Sequence, residues 1–261
     1  MLVDSHCHLD VDAFDDDRAA VIARARGAGV QRQVVPAIRA RDWPRLREVC
    51  AVDDGLYPAY GLHPMFLSDH GPADLDALEG WIARERPVAV GECGLDFFVD
   101  GLDRERQQFY FDGQLAIARE HDLPVIVHAR RAVDAVIASI RRHPGVRGVV
   151  HSFPGSPQQA AQLHDLGFLV GIGGPVTYAR AQRLRRTVAG LPADQLLLET
   201  DAPDQPDAGI RGQRNEPARL AYIAAVVAAL RNEPVETLAD ATTRNAARLF
   251  GWTVAACGAP H

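Results

Sequence analysis

The hydrophobic positions of the chain fall into short β-rich runs that alternate with longer amphipathic stretches from end to end. Two of the runs, Pro-Val-Ile-Val at 124–127 and Gln-Leu-Leu-Leu at 195–198, are almost continuously apolar, which is typical of strands buried on both faces of a parallel sheet. The pattern predicts eight strands, at residues 2–4, 33–37, 56–61, 88–92, 125–128, 149–151, 168–172 and 196–200.

Amphipathic helical patterns lie between and after these strands, and their ends carry glycine or proline. The patterns include 18–28, 103–121 and 132–142, and after the eighth strand 217–231, 235–241 and 243–250. Eight strands that are each followed by a helix predict an α/β fold of the closed (β/α)8 TIM-barrel class. A dinucleotide-binding Rossmann fold would need a glycine fingerprint after the first strand, where this chain has Asp-Ser-His-Cys-His-Leu-Asp at 4–10.

The length of 261 residues matches one such barrel, which commonly takes about 250 residues. We therefore expect a single domain over 1–252 and a C-terminal tail at 253–261. The first residues show no signal-peptide pattern, no apolar run approaches the roughly 20 residues of a membrane span, and the four cysteines are scattered. These features predict a cytoplasmic protein with no membrane anchor, and the sequence indicates no obligate protein partner.

The charge of the chain limits how it could hold a nucleic acid. The formal net charge is −6 and no arginine-rich stripe is evident, so a nucleic-acid substrate would be held locally rather than along a basic face. All 28 basic residues are arginine, so every mechanism that needs a lysine is excluded.

Potential metal ligands stand at the C-terminal ends of five predicted strands, the end at which barrels of this class build their active sites. A single histidine on a strand is more often a hydrogen-bonded core residue than a ligand. Core packing gives no reason for histidines and acids to gather at the same end of five strands, so the set favours a metal centre. His6 and His8 share one face of the chain, while Cys7 points towards the helices. The predicted ligands are His6, His8, Glu92, His128, His151 and Asp201.

Six ligands are too many for one ion of the zinc type, which usually takes four and leaves one position open in a catalytic site. They suit two divalent ions, of zinc, manganese or magnesium, that share a bridging ligand. Glu92 is the natural bridge, because each oxygen of a carboxylate can bind one ion. Two ions bring four positive charges and Glu92 with Asp201 returns two negative ones, so the pocket favours an anionic substrate such as a phosphate ester.

Metal-assisted hydrolysis is the mechanism that this set of residues suggests. The ions lower the pKa of a bound water from about 15.7 towards 7, Asp201 orients or deprotonates that water, and Glu92 holds the ions. For His63, a candidate substrate contact, the alternative is a loop histidine bonded to backbone; for Arg214 it is a solvated surface position. The candidate substrate-binding residues are His63, Arg130 and Arg214.

Six motifs spread over nearly the whole chain carry a resemblance to a known family. They are Asp-Ser-His-Cys-His-Leu-Asp (4–10), Gly-Leu-His-Pro (61–64), Val-Gly-Glu-Cys-Gly-Leu-Asp (90–96), Val-Ile-Val-His-Ala-Arg (125–130), Val-His-Ser-Phe-Pro-Gly (150–155) and Leu-Glu-Thr-Asp-Ala-Pro (198–203). Together they resemble the TatD family of metal-dependent deoxyribonucleases. The resemblance implies a metallo-dependent hydrolase barrel, the same six ligand positions, and 3'-5' exonuclease action on DNA, with single-stranded DNA or DNA ends as the partner. Cys93, Pro154 and Asp204 depart from the commoner family pattern.

Two other functions remain open on the sequence. An amidohydrolase acting on a small cyclic amide or ester would share the His-x-His motif and the final aspartate. Many two-metal amidohydrolases bridge their ions with a carboxylated lysine, which this chain lacks, so the mononuclear members are the rival. The other is a non-catalytic metal-binding protein, although structural metal sites are closed and are rarely spread over five strand ends.

Overall fold

Eight parallel strands in chain order form the centre of the fold, which a computed structural model describes for residues 1–253. The strands are β1 Leu2–Asp4, β2 Val30–Pro36, β3 Leu56–Tyr60, β4 Ala89–Asp96, β5 Val125–Arg130, β6 Gly148–Val150, β7 Phe168–Ile172 and β8 Leu196–Leu198. Hydrogen bonds close the ring between β8 and β1: Ser5 N–H donates to Leu198 O at 3.0 Å, and Asp201 N–H donates to His6 O at 2.9 Å. The predicted (β/α)8 barrel is confirmed. The expected tail lies outside the described residues beyond Thr253.

Nine α-helices accompany the strands in residues 1–253, one after each strand and a further one at the end. They are α1 Arg18–Gly27, α2 Trp43–Cys50, α3 Ala73–Glu85, α4 Arg104–Glu120, α5 Val133–Arg142, α6 Pro157–Asp165, α7 Gln182–Ala189, α8 Leu220–Arg231 and α9 Val235–Phe250. None of the described helices has both the length and the apolarity that crossing a membrane requires.

The bottom of the barrel is sealed by one apolar layer. Each strand contributes one side chain, from Val3 on β1 to Leu197 on β8, and Ala246, Leu249 and Phe250 of α9 pack beneath them. Because all eight strands run in parallel, this layer closes their N-terminal ends and leaves the C-terminal ends as the open mouth. The packing of α9 therefore fixes which end can hold a site.

The strand β4 is longer than the sequence pattern predicts. The pattern ends it at Glu92, whereas hydrogen-bonded pairing with β5 continues to Asp96, opposite Arg130. The register shifts between Val90 and Cys93, so Glu92 lies inside the strand, next to a bulge. A Cβ on Gly94, whose φ is +131°, would lie 2.2 Å from the carbonyl oxygen of His128, so only glycine allows β4 to pass β5 this closely. Gly94 therefore lies within the paired part of β4, beyond the point where the sequence pattern ends the strand.

The C-terminal helical region is one helix, α9, and not the two short helices predicted at 235–241 and 243–250. The polar stretch around Thr242 suggested a break. In the structure the Thr242 hydroxyl donates to the carbonyl oxygen of Leu238 at 3.0 Å, inside the helix, so the residue is accommodated without ending it. The strand β8 is shorter than predicted, since it ends at Leu198 rather than at residue 200. Asp201, beyond its end, has a φ of 57°.

A buried ion pair stabilises the loop between β8 and α8. The fully buried carboxylate of Asp207 accepts hydrogen bonds from Arg219 Nε at 2.6 Å and Nη2 at 2.9 Å, and from Gly209 N–H at 2.8 Å. Removing one partner of a fully buried pair costs about 3–5 kcal/mol, because it leaves an uncompensated charge. The Arg219 side chain is 30% exposed, so water compensates part of that cost. We expect Arg219→Ala to lower the free energy of unfolding by about 2 kcal/mol.

Urea denaturation measures this loss. Arg211→Ala is the matched control, since Arg211 is an exposed arginine of the same loop and should change stability by less than about 0.5 kcal/mol. Equal losses in the two variants would show that the ion pair does not stabilise the loop.

Candidate metal centre

Backbone hydrogen bonds place the predicted ligands around the mouth of the barrel. The segment after β1 is joined to the segment after β8, since His8 N–H donates to Ala202 O at 2.7 Å and Asp201 N–H donates to His6 O. On the opposite wall, His151 N–H donates to Val127 O at 3.0 Å and extends the pairing of β5 and β6 by one step. The barrel ladder therefore continues to the ligands even where the strands formally end.

One group of donor atoms faces the Oε2 oxygen of Glu92. The Nε2 atom of His6 lies 3.2 Å from Nε2 of His8, 3.2 Å from this oxygen and 3.4 Å from Oδ1 of Asp201. The Nε2 atom of His8 lies 3.5 Å from the same Glu92 oxygen and 3.6 Å from the same Asp201 oxygen. Ligand atoms about 2.0–2.1 Å from a tetrahedral ion are about 3.4 Å apart. The four atoms thus have the spacing of one metal coordination sphere.

A second group faces the other oxygen of the same carboxylate. Oε1 of Glu92 lies 2.9 Å from Nε2 of His151, 3.1 Å from Nδ1 of His128 and 3.0 Å from Nε2 of His63. Nδ1 of His128 and Nε2 of His151 are 3.3 Å apart. Glu92 therefore separates two donor groups, with one oxygen directed at each.

The proton positions of two histidines show that the donor set fits a metal. Nδ1 of His8 lies 3.2 Å from the carbonyl oxygen of Pro36, and Nε2 of His128 lies 2.9 Å from Oδ2 of Asp96. A carbonyl or a carboxylate oxygen can only accept, so in the neutral rings these nitrogens carry the protons. The other nitrogen of each ring then presents a lone pair to the centre, the arrangement found in metal-binding histidines.

His63 has the opposite tautomer and is not equivalent to these ligands. Its Nδ1 accepts the backbone N–H of Met65 at 3.2 Å, so the proton of the neutral ring is on Nε2, which faces Glu92. Burial lowers the pKa of His63 more than the nearby Glu92 raises it, which favours the neutral ring. A protonated Nε2 cannot bind a metal. The residue instead offers a hydrogen-bond donor directed into the centre.

Asp96 is the functional residue that the sequence analysis did not identify. Its side chain accepts from His128, and its backbone N–H and C=O are both bonded by the side-chain amide of Gln107 on α4, at 2.7 and 2.9 Å. The signal was present, since Asp96 is four residues after Glu92 on one strand and residues at even spacing share a face. It was missed because the predicted strand stopped at Glu92.

The carboxylates of the centre are held in their charged forms. Burial alone would raise the pKa of Glu92, but electrostatic interactions and hydrogen bonds with the imidazoles that surround it hold that pKa well below its ordinary value. The same balance applies to Asp201: burial raises its pKa, and the hydrogen bond with His8 together with nearby imidazoles lowers it to about 2. Deprotonated oxygens are the form that binds a metal.

The two predicted arginine contacts lie in different places. Arg130 lines the cavity of about 890 Å³ that opens above the centre, together with His8, His63 and Asp201. Arg214 does not line this cavity: its guanidinium donates to Asp17 at 2.7 and 2.8 Å and lies over the ring of Phe14. The structure therefore brings the six predicted ligands, His63 and Arg130 together, and places Arg214 in an ion pair beside α1.

Two buried acids support the ligands from below. Asp4 accepts from the backbone N–H of His6 and from both the N–H and the hydroxyl of Thr200, at 3.2, 2.9 and 2.5 Å. Glu199 accepts from Ser152 N–H at 2.5 Å, and the same oxygen lies 3.7 Å from Nδ1 of His151. Both fix backbone segments that carry ligands.

An eight-stranded barrel with this histidine–carboxylate cluster at its open mouth defines a metal-dependent hydrolase. The family model described as "TatD related DNase" matches residues 3–251. The metal-dependent hydrolase YjjV of Escherichia coli K12 is 44% identical, over 95% of this chain and 97% of its own length. The chain therefore belongs to the TatD family, and the resemblance noted in the sequence is confirmed.

Two further comparisons agree with this assignment. A protein of Klebsiella pneumoniae named 3'-5' ssDNA/RNA exonuclease TatD is 34% identical, over 96% of this chain and 98% of its own. The crystal structure of the Escherichia coli YjjV TatD homologue has a TM-score of 0.93 and 42% identity, and the match covers 97% of this chain and 98% of that one.

Proposed function

We propose that this protein hydrolyses phosphodiester bonds with two divalent metal ions and removes nucleotides from the 3' ends of single-stranded DNA. The observation that carries the proposal is the placement of Glu92, whose two oxygens face two different donor groups 2.9–3.5 Å away. A carboxylate shared in this way suits a pair of ions, and paired ions suit displacement at phosphorus.

The residues divide into two metal sites and a shared bridge. His6, His8 and Asp201 would hold one ion, His128 and His151 would hold the other, and Glu92 would contact both. When bound, divalent ions polarise phosphoryl oxygens and make water more acidic. The open cavity above the donors leaves space for a substrate, unlike the closed coordination of a structural metal site.

The other side chains of the mouth have roles that follow from their contacts. Asp201 carries a charged carboxylate at the cavity surface, where it can accept a proton from the attacking water. His63 directs its Nε2–H into the same space and can donate to a substrate oxygen or to the leaving group. The guanidinium of Arg130 borders the cavity and can bind a phosphate through two parallel hydrogen bonds.

Two further acidic side chains change the charge balance expected for two bound ions. From the sequence, only Glu92 and Asp201 offset the four positive charges of the ions. Asp96, 2.9 Å from His128, and Glu199, 3.7 Å from His151, place two further acidic side chains beside these sites, so two bound ions would leave less excess positive charge than the sequence indicates. Arg130 at the rim would then contribute more of the preference for an anionic substrate.

The test is an assay on DNA that is labelled at one end. The protein is stripped with EDTA, loaded with Zn²⁺, Mn²⁺ or Mg²⁺, and given 5'-labelled single- and double-stranded DNA beside panels of small phosphodiesters, amides and lactones. We expect the labelled single strand to shorten one nucleotide at a time from its 3' end, only with metal. If DNA stays intact with every metal while an amide or a lactone is hydrolysed, the protein acts as an amidohydrolase instead.

A further inference from the structure

An exposed aromatic ring beside the mouth is in contact with two arginines. Phe98, in the loop after β4, is 42% exposed. The guanidinium carbon of Arg130 lies 3.7 Å from the centroid of its ring, and that of Arg131 lies 4.6 Å from it. A single exposed phenylalanine is ordinary on a protein surface, but the ring of Phe98 lies against two guanidiniums at the mouth, and its exposed part offers a surface on which a further planar group can stack.

The position of this ring is fixed relative to the metal centre by one carboxylate. Oδ1 of Asp96 accepts the backbone N–H groups of Phe98 and Val99, at 2.8 and 3.1 Å, while Oδ2 accepts from the ligand His128. The residue that orients a metal ligand thus also holds the loop that presents Phe98. A group stacked on the ring would have a defined distance from the reacting bond.

A second cavity lies next to the mouth on this side of the barrel. It has a volume of about 490 Å³ and is lined by Phe97, Arg131 and Arg183 among others, and Pro154 borders both cavities. The side chain of Arg183 donates to the carbonyl oxygen of Pro154 at 2.6 Å, which holds its guanidinium at the junction. The two cavities are therefore neighbours at Pro154, and Glu92 lines only the first of them.

The arginines beside these two cavities form no ion pair with any residue that the structure describes. Within residues 1–253, Arg130, Arg131 and Arg183 have no carboxylate oxygen within 4.0 Å. The carboxylate that lines the second cavity, Asp134, is bonded to the side-chain amide of Gln159 at 2.7 Å. Three guanidiniums with no ion-pair partner among residues 1–253, two of them against an exposed ring, are complementary to a chain of phosphates that carries planar bases.

We propose that Phe98, Arg131 and Arg183 form a binding track for single-stranded polynucleotide, which holds the part of the strand that is not being hydrolysed. A base stacks on Phe98, and the arginines contact the phosphates that flank it. The track rests on the proposed function, because it assigns to the same centre a polymeric substrate rather than a small phosphate ester. It also provides local positive charge on a chain whose net charge is −6.

Fluorescence anisotropy of a labelled oligonucleotide tests the track. The probe is an eight-nucleotide fluorescein-labelled oligothymidylate with phosphorothioate linkages, which resist hydrolysis, added to the metal-loaded protein. We expect Phe98→Ala to weaken binding about tenfold, since one stacking contact is lost. We expect Arg131→Ala to reduce the slope of log Kd against log salt by about 0.7, the contribution of one phosphate contact to a single strand.

Matched controls come from residues of the same kind elsewhere on the surface. Phe109, on α4, is 51% exposed, and Arg244 lies exposed on α9 at the closed end of the barrel. We expect Phe109→Ala and Arg244→Ala to leave both the affinity and the salt slope unchanged. Thermal unfolding of every variant shows whether it has folded.

Turnover of a small phosphodiester by the unaltered protein separates the two proposals. Wild-type affinity in both Phe98→Ala and Arg131→Ala would overturn the track, as would a protein that hydrolyses the small diester and does not bind the oligonucleotide. Oligonucleotide binding that is lost in these variants, without hydrolysis of any phosphodiester, would support the track and refute the proposed function.

Discussion

Replacing Glu92 by alanine is expected to remove both metal ions and to lower hydrolysis by about 1,000-fold or more. Each oxygen of this carboxylate faces its own donor group, so its loss takes one ligand from each site. A bound metal supplies several kcal/mol of transition-state stabilisation, and each 1.4 kcal/mol is a factor of ten in rate. Metal content per chain, measured by mass spectrometry after dialysis, and the rate of DNA hydrolysis check the two halves of this prediction.

Asp201→Asn is the matched control, because within residues 1–253 the Asp201 carboxylate lies within 4.0 Å of His6 and His8 but of neither histidine of the second group. We expect this variant to lose the ion on that side and to keep the one beside His128 and His151. If Glu92→Ala retains one ion per chain, Glu92 is not a shared ligand. Circular dichroism of both variants shows that the barrel is intact.

Asp96→Asn is expected to weaken metal binding on the His128 side about 10- to 100-fold, the usual cost of losing the partner that orients a ligand histidine. The two oxygens of Asp96 accept from opposite directions, one from His128 and the other from the N–H groups of Phe98 and Val99. An asparagine has one acceptor atom and one donor group. Whichever way it turns, its NH2 group faces another donor.

Titration against a chromophoric chelator measures the two affinities. Asp103→Asn is the control: Asp103 begins α4 in the same loop by accepting from the N–H groups of Glu105 and Arg106, and asparagine serves equally well at that position. Wild-type affinity in Asp96→Asn at both sites would show that Asp96 does not orient His128.

The fold could be predicted well from the sequence because each strand of a parallel barrel is buried on both faces and stands out as an apolar run. The errors fall where contacts distant in sequence decide the outcome. β4 continues past Glu92 because β5 pairs with it, and the second half of α9 packs through Leu249 and Phe250 against the side chains at the bottom of the barrel. Neither effect is visible in local hydrophobicity.

The sequence predicted which side chains gather at the mouth but not their hydrogen-bond partners. The six predicted ligands were chosen because they stand at or near the C-terminal ends of the predicted strands, a property that can be read from the sequence. The tautomer of His63 depends on the backbone N–H of Met65, and the ion pair of Arg214 depends on Asp17, which is 197 residues away. Such contacts form only in the folded chain. The contact between Asp96 and His128 is another of them, because it joins β4 to β5.

Anomalous diffraction from crystals soaked with Mn²⁺ tests the shared carboxylate most directly. We predict two anomalous peaks, roughly 3.5–4 Å apart, on either side of the Glu92 carboxylate. One should lie beside His6, His8 and Asp201, and the other beside His128 and His151, with Nε2 of His63 outside both coordination spheres. A single peak, or direct coordination by His63, would contradict the assignment.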